Sequence, residues 1–187
     1  MVTPRERMVI STALLIRERG AHSTAIADVL EHSGAPRGSA YHYFPGGRTQ
    51  LLCEAVDYAA DFTSNRIASA ASSLEAIDHI VDGFRTQLVE SDYRAGCPVA
   101  AVAVEADNPE VIERAAAAFT RWTGLIADRL THDGVATDRA DELAMLFMSS
   151  IEGAIVVARS TRDVKPLEIV HRHLRATVAA EFKETRQ

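Results

Sequence analysis

The chain has 187 residues, 47% hydrophobic and 25% charged, with a net charge of −6, which suits one good core or a small domain joined to a larger one and argues against indiscriminate nucleic-acid binding by the whole molecule. Two cysteines, Cys53 and Cys97, are too few for a disulfide framework, and no CxxC or HxxxH pair suggests zinc. The N-terminal MVTPRERMVIST lacks the apolar core and cleavage site of a signal peptide, and no run approaches the ~20 uninterrupted apolar residues of a membrane span, so a cytoplasmic protein without a membrane partner, metal or cofactor is expected.

Helix 1 is predicted over Arg5 to Arg19, with Met8, Val9, Thr12, Leu15 and Ile16 on one stripe and Gly20 as its stop. Helix 2 is predicted to start after Thr24, whose hydroxyl suits an N-cap. Ile26, Val29 and Leu30 form its apolar face, and Gly34 suits a left-handed C-cap. Pro36 then sits at the expected first position of helix 3, Arg37 to Tyr43, which is short and polar. Two helices joined by a tight glycine-containing turn, the second polar, describe a helix-turn-helix that reads DNA.

Pro45-Gly46-Gly47 breaks the chain before helix 4, predicted from about Thr49 to Ala70. At ~1.5 Å per residue this rod spans about 30 Å, enough to join a reading head to a separate body. Helix 5 is predicted over Leu74 to Ser91, a short helix over Val99 to Ala106, and helix 7 from Pro109 to a stop at Asp133-Gly134. Helix 8, about Asp138 to Thr161, contains AMLFMSSIEGAIVVA and is apolar on nearly every face, which calls for partners on both sides. Small residues there, Ala144, Ser149, Gly153 and Ala154, permit close helix approach. Helices 8 and 9, the latter about Pro166 to Lys183, are therefore expected to form a four-helix interface with a second copy of the chain. The expected fold is all-α: an N-terminal three-helix head over residues 1–48 and a larger helical ligand-binding and dimerisation domain over 49–187, about nine helices in all.

The segment GAPRGSAYHYFPGGRTQLL resembles the N-terminal signature of the TetR family of bacterial transcriptional regulators. Gly34, Gly38, Tyr41, Tyr43, Phe44, Arg48 and Leu51 match that pattern one by one. The loop from Phe44 to Arg48 is one residue longer than usual and, with Gly96-Cys97-Pro98, resembles the LmrA/YxaF-like branch. Ala40 stands where Leu or Ile is common, Ala35-Pro36 replace Val-Ser, and Arg48 replaces the usual Lys. The resemblance implies a homodimer on double-stranded operator DNA, released by a small-molecule inducer.

Residues 1–50 carry six arginines against four acidic residues, a charge of +2 that directs DNA to this end of an acidic molecule. Arg37, at the expected start of the reading helix, suits the guanine edge. Thr24, Ser39, Tyr41, Tyr43 and Arg48 suit phosphate and His42 suits either, and the family resemblance adds Gly38 to the DNA-binding residues. The inducer site that the resemblance implies in the body draws on Phe62, Phe84, Leu88, Cys97, Phe119, Trp122, Met145 and Met148, rings and sulfurs suited to an apolar or aromatic ligand, with Glu105 and Glu152 to orient it or to sense a positive charge. The family resemblance implies a repressor, and the LmrA/YxaF-like branch implies control of an efflux or detoxification gene. An enzyme is not expected, since no His or Asp is tied to Cys97 by a local motif. The alternative is a helical small-molecule binder whose head no longer binds DNA.

Overall fold

A computed structural model describes residues 2–184. Among them are nine helices and no strand: α1 (Pro4–Arg19), α2 (Ile26–Ser33), α3 (Ser39–Tyr43), α4 (Gly47–Ala68), α5 (Ser73–Glu90), α6 (Pro98–Glu105), α7 (Pro109–His132), α8 (Thr137–Thr161) and α9 (Lys165–Glu184). They form two compact units. One comprises the chain up to Asp61 together with Cys97–Ala118; the other comprises Phe62–Gly96 together with the chain from Phe119 onward. Residues of α4 and of α7 are thus shared between the units, and α6 belongs to the first.

In the first unit α1 starts with a reciprocal cap. The Thr3 hydroxyl accepts from the Glu6 amide (3.2 Å), and the Glu6 carboxylate accepts from the Thr3 amide (2.7 Å). These bonds hold the Glu6 carboxyl below its ordinary range. The N-cap of α2 is Ala25 rather than Thr24. Asp28 turns back to accept from the Ala25 amide (3.0 Å), and the Thr24 hydroxyl instead donates to the Gly20 carbonyl (2.8 Å). Gly34 takes the left-handed conformation (φ 66°) that closes α2.

α3 begins two residues later than Arg37. Pro36 opens a turn in which its carbonyl accepts from both the amide (2.9 Å) and the hydroxyl (2.7 Å) of Ser39. Arg37 and Gly38 therefore precede the helix. Met8, Val9, Leu15, Val29, Ala35, Ala40, Phe44 and Leu51 make the core of this unit, with the small Ala40 of α3 buried among larger neighbours. α6 packs on α1, and its N-cap is the buried Cys97, whose sulfur accepts from the Ala100 amide (3.5 Å).

In the second unit α5, α8 and α9 pack together. Ile77, Leu130, Phe147 and Val178, one each from α5, α7, α8 and α9, meet around a void of only about 10 Å³. Gly83 leaves room for Arg66, whose guanidinium donates to the His79 carbonyl from both Nε (3.1 Å) and Nη2 (2.6 Å). α8 is the only described helix long and apolar enough to cross a membrane by composition. It is not buried all round. Leu143, Phe147, Ile151 and Ile155 face the core, while Met145, Leu146, Val156 and Val157 are exposed along a stripe that includes Ser149 and Gly153.

Candidate nucleic-acid interface and ligand cleft

The head presents α3 as its polar face because Ala40 and Phe44 turn inward while Tyr41 and His42 between them turn out. Arg37, Gly38, Tyr41 and His42 are exposed, Tyr41 to 69%. Ser39 and Tyr43 are half-buried. Tyr43 packs on the head core and meets His42 edge-on, ring centroids 5.3 Å apart. An exposed guanidinium, phenol and imidazole on one short helix and the turn before it supply a forked donor, a hydroxyl and a ring for a nucleic-acid surface.

Two of the expected phosphate contacts are placed differently. Thr24 is 2% exposed and its hydroxyl is committed to Gly20. Arg48 is exposed, but its Nε donates to the Thr24 carbonyl (2.9 Å) and its Nη2 to the Ala21 carbonyl. Its partners lie 24 and 27 residues away in sequence, beyond the reach of local pattern reading. On α1, Arg5 pairs with Glu54 (2.6 Å) and lies 5.0 Å over the Phe44 ring, and Arg7 donates to the Ser33 carbonyl (3.3 Å).

The second unit holds a cleft of about 380 Å³ between α7 and α8. Phe119, Thr120 and Thr123 line it from α7; Met145, Met148, Ser149 and Glu152 line it from α8. Four of the expected ligand residues, Phe119, Met145, Met148 and Glu152, thus share one site. The threonines and Ser149 were not expected there, although Thr123 lies one turn from Phe119 and Ser149 one turn from Met145.

The remaining candidates lie elsewhere. Phe84 and Leu88 are buried in α5, and Trp122 is buried behind Phe119. Phe62 is half exposed, with the Arg66 guanidinium 6.0 Å over its ring. Cys97 and Glu105 belong to the first unit, where the Glu105 carboxylate accepts from the His22 amide (3.1 Å). Burial, aided by the nearby Glu110 charge, pushes the Cys53 thiol up, which disfavours its nucleophilic form.

Two family models match the sequence. "Bacterial regulatory proteins, tetR family" covers residues 11–55, and "Transcriptional regulator LmrA/YxaF-like, C-terminal domain" covers residues 73–173. A helix-turn-helix transcriptional regulator of Mycobacterium tuberculosis is 59% identical, over 98% of each chain. The regulator LmrA of Bacillus subtilis is 27% identical, over 87% of this chain and 90% of its own. Among solved structures, a TetR transcriptional regulator from Legionella pneumophila superposes with a TM-score of 0.85 at 20% identity, covering 95% of this chain and 98% of that one.

Proposed function

We propose, for a chain that belongs to the TetR family and is therefore a DNA-binding transcriptional regulator and not an enzyme, that it is a repressor released from a palindromic operator by a small, largely apolar or aromatic inducer. Regulators of this family bind operator DNA as dimers. The observation that carries the DNA half of the reading is the exposure of Arg37, Tyr41 and His42 around a helix whose other face is anchored by Ala40 and Phe44. Arg37 reads a guanine edge, a contact of about 1–3 kcal/mol in discrimination. Ser39, Tyr41 and Tyr43 hold phosphate, and the exposed Gly38 lies beside them. The head is taken as residues 1–48 and the body as 49–187.

The dimer forms through α8 and α9, where an apolar stripe on α8 is exposed in the single chain. A two-fold dimer spaces its half-sites about 34–36 Å apart or a multiple of that. The inducer occupies the cleft of Phe119, Met145, Met148 and Glu152, whose rings and thioethers adapt to planar apolar shapes. It acts by favouring a state of lower operator affinity; a coupling of about 1–3 kcal/mol weakens binding about 5–150-fold. α4, with residues in both units, is the natural lever. The regulated gene serves efflux or detoxification, and the protein works in the cytoplasm. Selection of bound fragments from random DNA tests the reading: a recovered dyad-symmetric site supports it. A protein that enriches no sequence yet binds apolar ligands is instead a helical small-molecule binder.

A further inference from the structure

We propose that Arg48 and Glu105 are positioning residues which together clasp the loop leading into α2, and that Arg48 serves DNA binding through this clasp and not by touching phosphate. The inference rests on the reading of the chain as an operator-binding protein. The loop from Gly20 to Ala25 connects α1 to α2 and has little side-chain bulk of its own. Its backbone is held instead by partners from two other helices. Arg48, at the start of α4, spans the Ala21 and Thr24 carbonyls with one guanidinium. Glu105, the last residue of α6, takes the His22 amide at 3.1 Å. The carbonyls and the amide are thus secured by groups of opposite charge from two helices.

Gly20 shows that this arrangement is built in. Its φ is 87°, outside the range that L side chains favour, and a Cβ there would lie 2.2 Å from Glu105 Oε2 and 2.4 Å from Oε1. The absent side chain is the space the carboxylate fills. Thr24 closes the loop from within, its hydroxyl on the Gly20 carbonyl (2.8 Å) and its amide on the Ala21 carbonyl (3.2 Å). Arg48 meets the two carbonyls from two separate nitrogens, Nε and Nη2, held in one planar fork; a lysine would have to reach both from a single nitrogen on a shorter stem. That distinction separates a clasp from a phosphate contact. What the loop fixes is the start of α2, and Val29 of α2 shares the head core with Ala40 and Phe44 beneath the exposed face of α3.

The test pairs two measurements. In the first, operator affinity is followed against salt for wild type, Arg48→Lys and Arg48→Gln. The clasp predicts that both variants lose about tenfold in affinity at one salt concentration, with the salt slope unchanged. A lysine that restores wild-type affinity, together with a glutamine that lowers the slope by ~0.9 per phosphate contact, overturns the proposal. In the second, hydrogen exchange of the His22 amide is measured without DNA. Glu105→Ala is expected to speed it about tenfold and Glu105→Gln, whose amide oxygen can still accept, to recover most of that protection. Unchanged exchange in Glu105→Ala also overturns the clasp. Failure of the wild-type protein to bind any DNA would remove the operator reading, while the exchange result still decides whether the loop is held as described.

Discussion

Phe119 and Trp122 meet edge to face one turn apart on α7, ring centroids 5.5 Å apart and planes at 87°. One ring lines the cleft and the other is 1% exposed behind it. Trp122 is the single tryptophan of the chain, so its emission reports on the cleft without a label. Titration with an apolar aromatic ligand is expected to shift or quench Trp122 fluorescence saturably. Phe119→Ala should abolish that response and cost about 0.5–1.5 kcal/mol in urea unfolding from the lost ring pair. A saturable response that survives Phe119→Ala places the ligand elsewhere.

Arg37→Ala should weaken binding to the selected operator by about 1–3 kcal/mol and relax the preference for guanine at one position of each half-site. Competition between operator and scrambled duplex measures this. Loss of affinity that is uniform across sequences would assign Arg37 to phosphate instead.

Asp78 of α5 receives His171 Nε2 (2.7 Å) and Arg175 Nη1 from α9. Burial raises its carboxyl, but the bonds and charges of Arg175 and His171 outweigh that and leave it below the ordinary range. A carboxyl depressed in the folded state stabilises the protein above its unfolded pKa, and that stability is lost as pH falls through the folded value. Wild type is therefore expected to lose stability from the ordinary aspartate range downward. Asp78→Asn should cost about 1 kcal/mol near neutrality, given the site's partial exposure, and should flatten the acid limb. Urea midpoints across pH check both; parallel acid limbs in the two proteins would contradict the assignment.

Gly153 lies in the exposed stripe of α8, and a Cβ there meets nothing within 4 Å in the single chain. Gly153→Leu should therefore leave the protomer folded, and even favour its helix by about 1 kcal/mol, while splitting the dimer that the α8 stripe is proposed to form. Sedimentation reads the mass and circular dichroism the helix content. A variant that remains dimeric would move the interface off this face.

Gly20→Ala should destabilise the first unit by about 1–3 kcal/mol through its positive φ, beyond the displacement of Glu105. Adding Glu105→Ala relieves the overlap but leaves the backbone strain, so thermal melts of the double variant should recover only part of the loss. Full recovery would show that contact alone forbids a side chain there.

The helices were legible where punctuation is strong. Gly34, Pro109 and Gly134 mark ends and starts that the structure keeps, whereas the Thr3-x-x-Glu6 box that starts α1 one residue before the expected Arg5 is a signal the sequence reading missed. Pro36 does not open helix 3 as expected, because a proline opens a turn as readily as a helix, and here the turn takes Arg37 and Gly38 from α3. Thr24 lost the cap to Ala25 because its hydroxyl found the Gly20 carbonyl and Asp28 supplied the local alternative. For the cleft, helical spacing says which residues share a face but not which helix that face meets. Phe119, Met145 and Met148 fell together, while Phe84 and Leu88, equally apolar and equally periodic, filled the core. The partners of Arg48 and Glu105 had no local signal, since they are created by chain segments brought together only on folding.

The uncovered valines of α8 carry a consequence for dosage. Val156 is 63% exposed, and a side chain of that kind favours self-association by mass action. Below the concentration at which copies pair, the number of competent regulators grows with the square of the number of chains made. Halving synthesis then removes about three quarters of the proposed dimeric species, so a promoter that it controls meets a threshold in expression level.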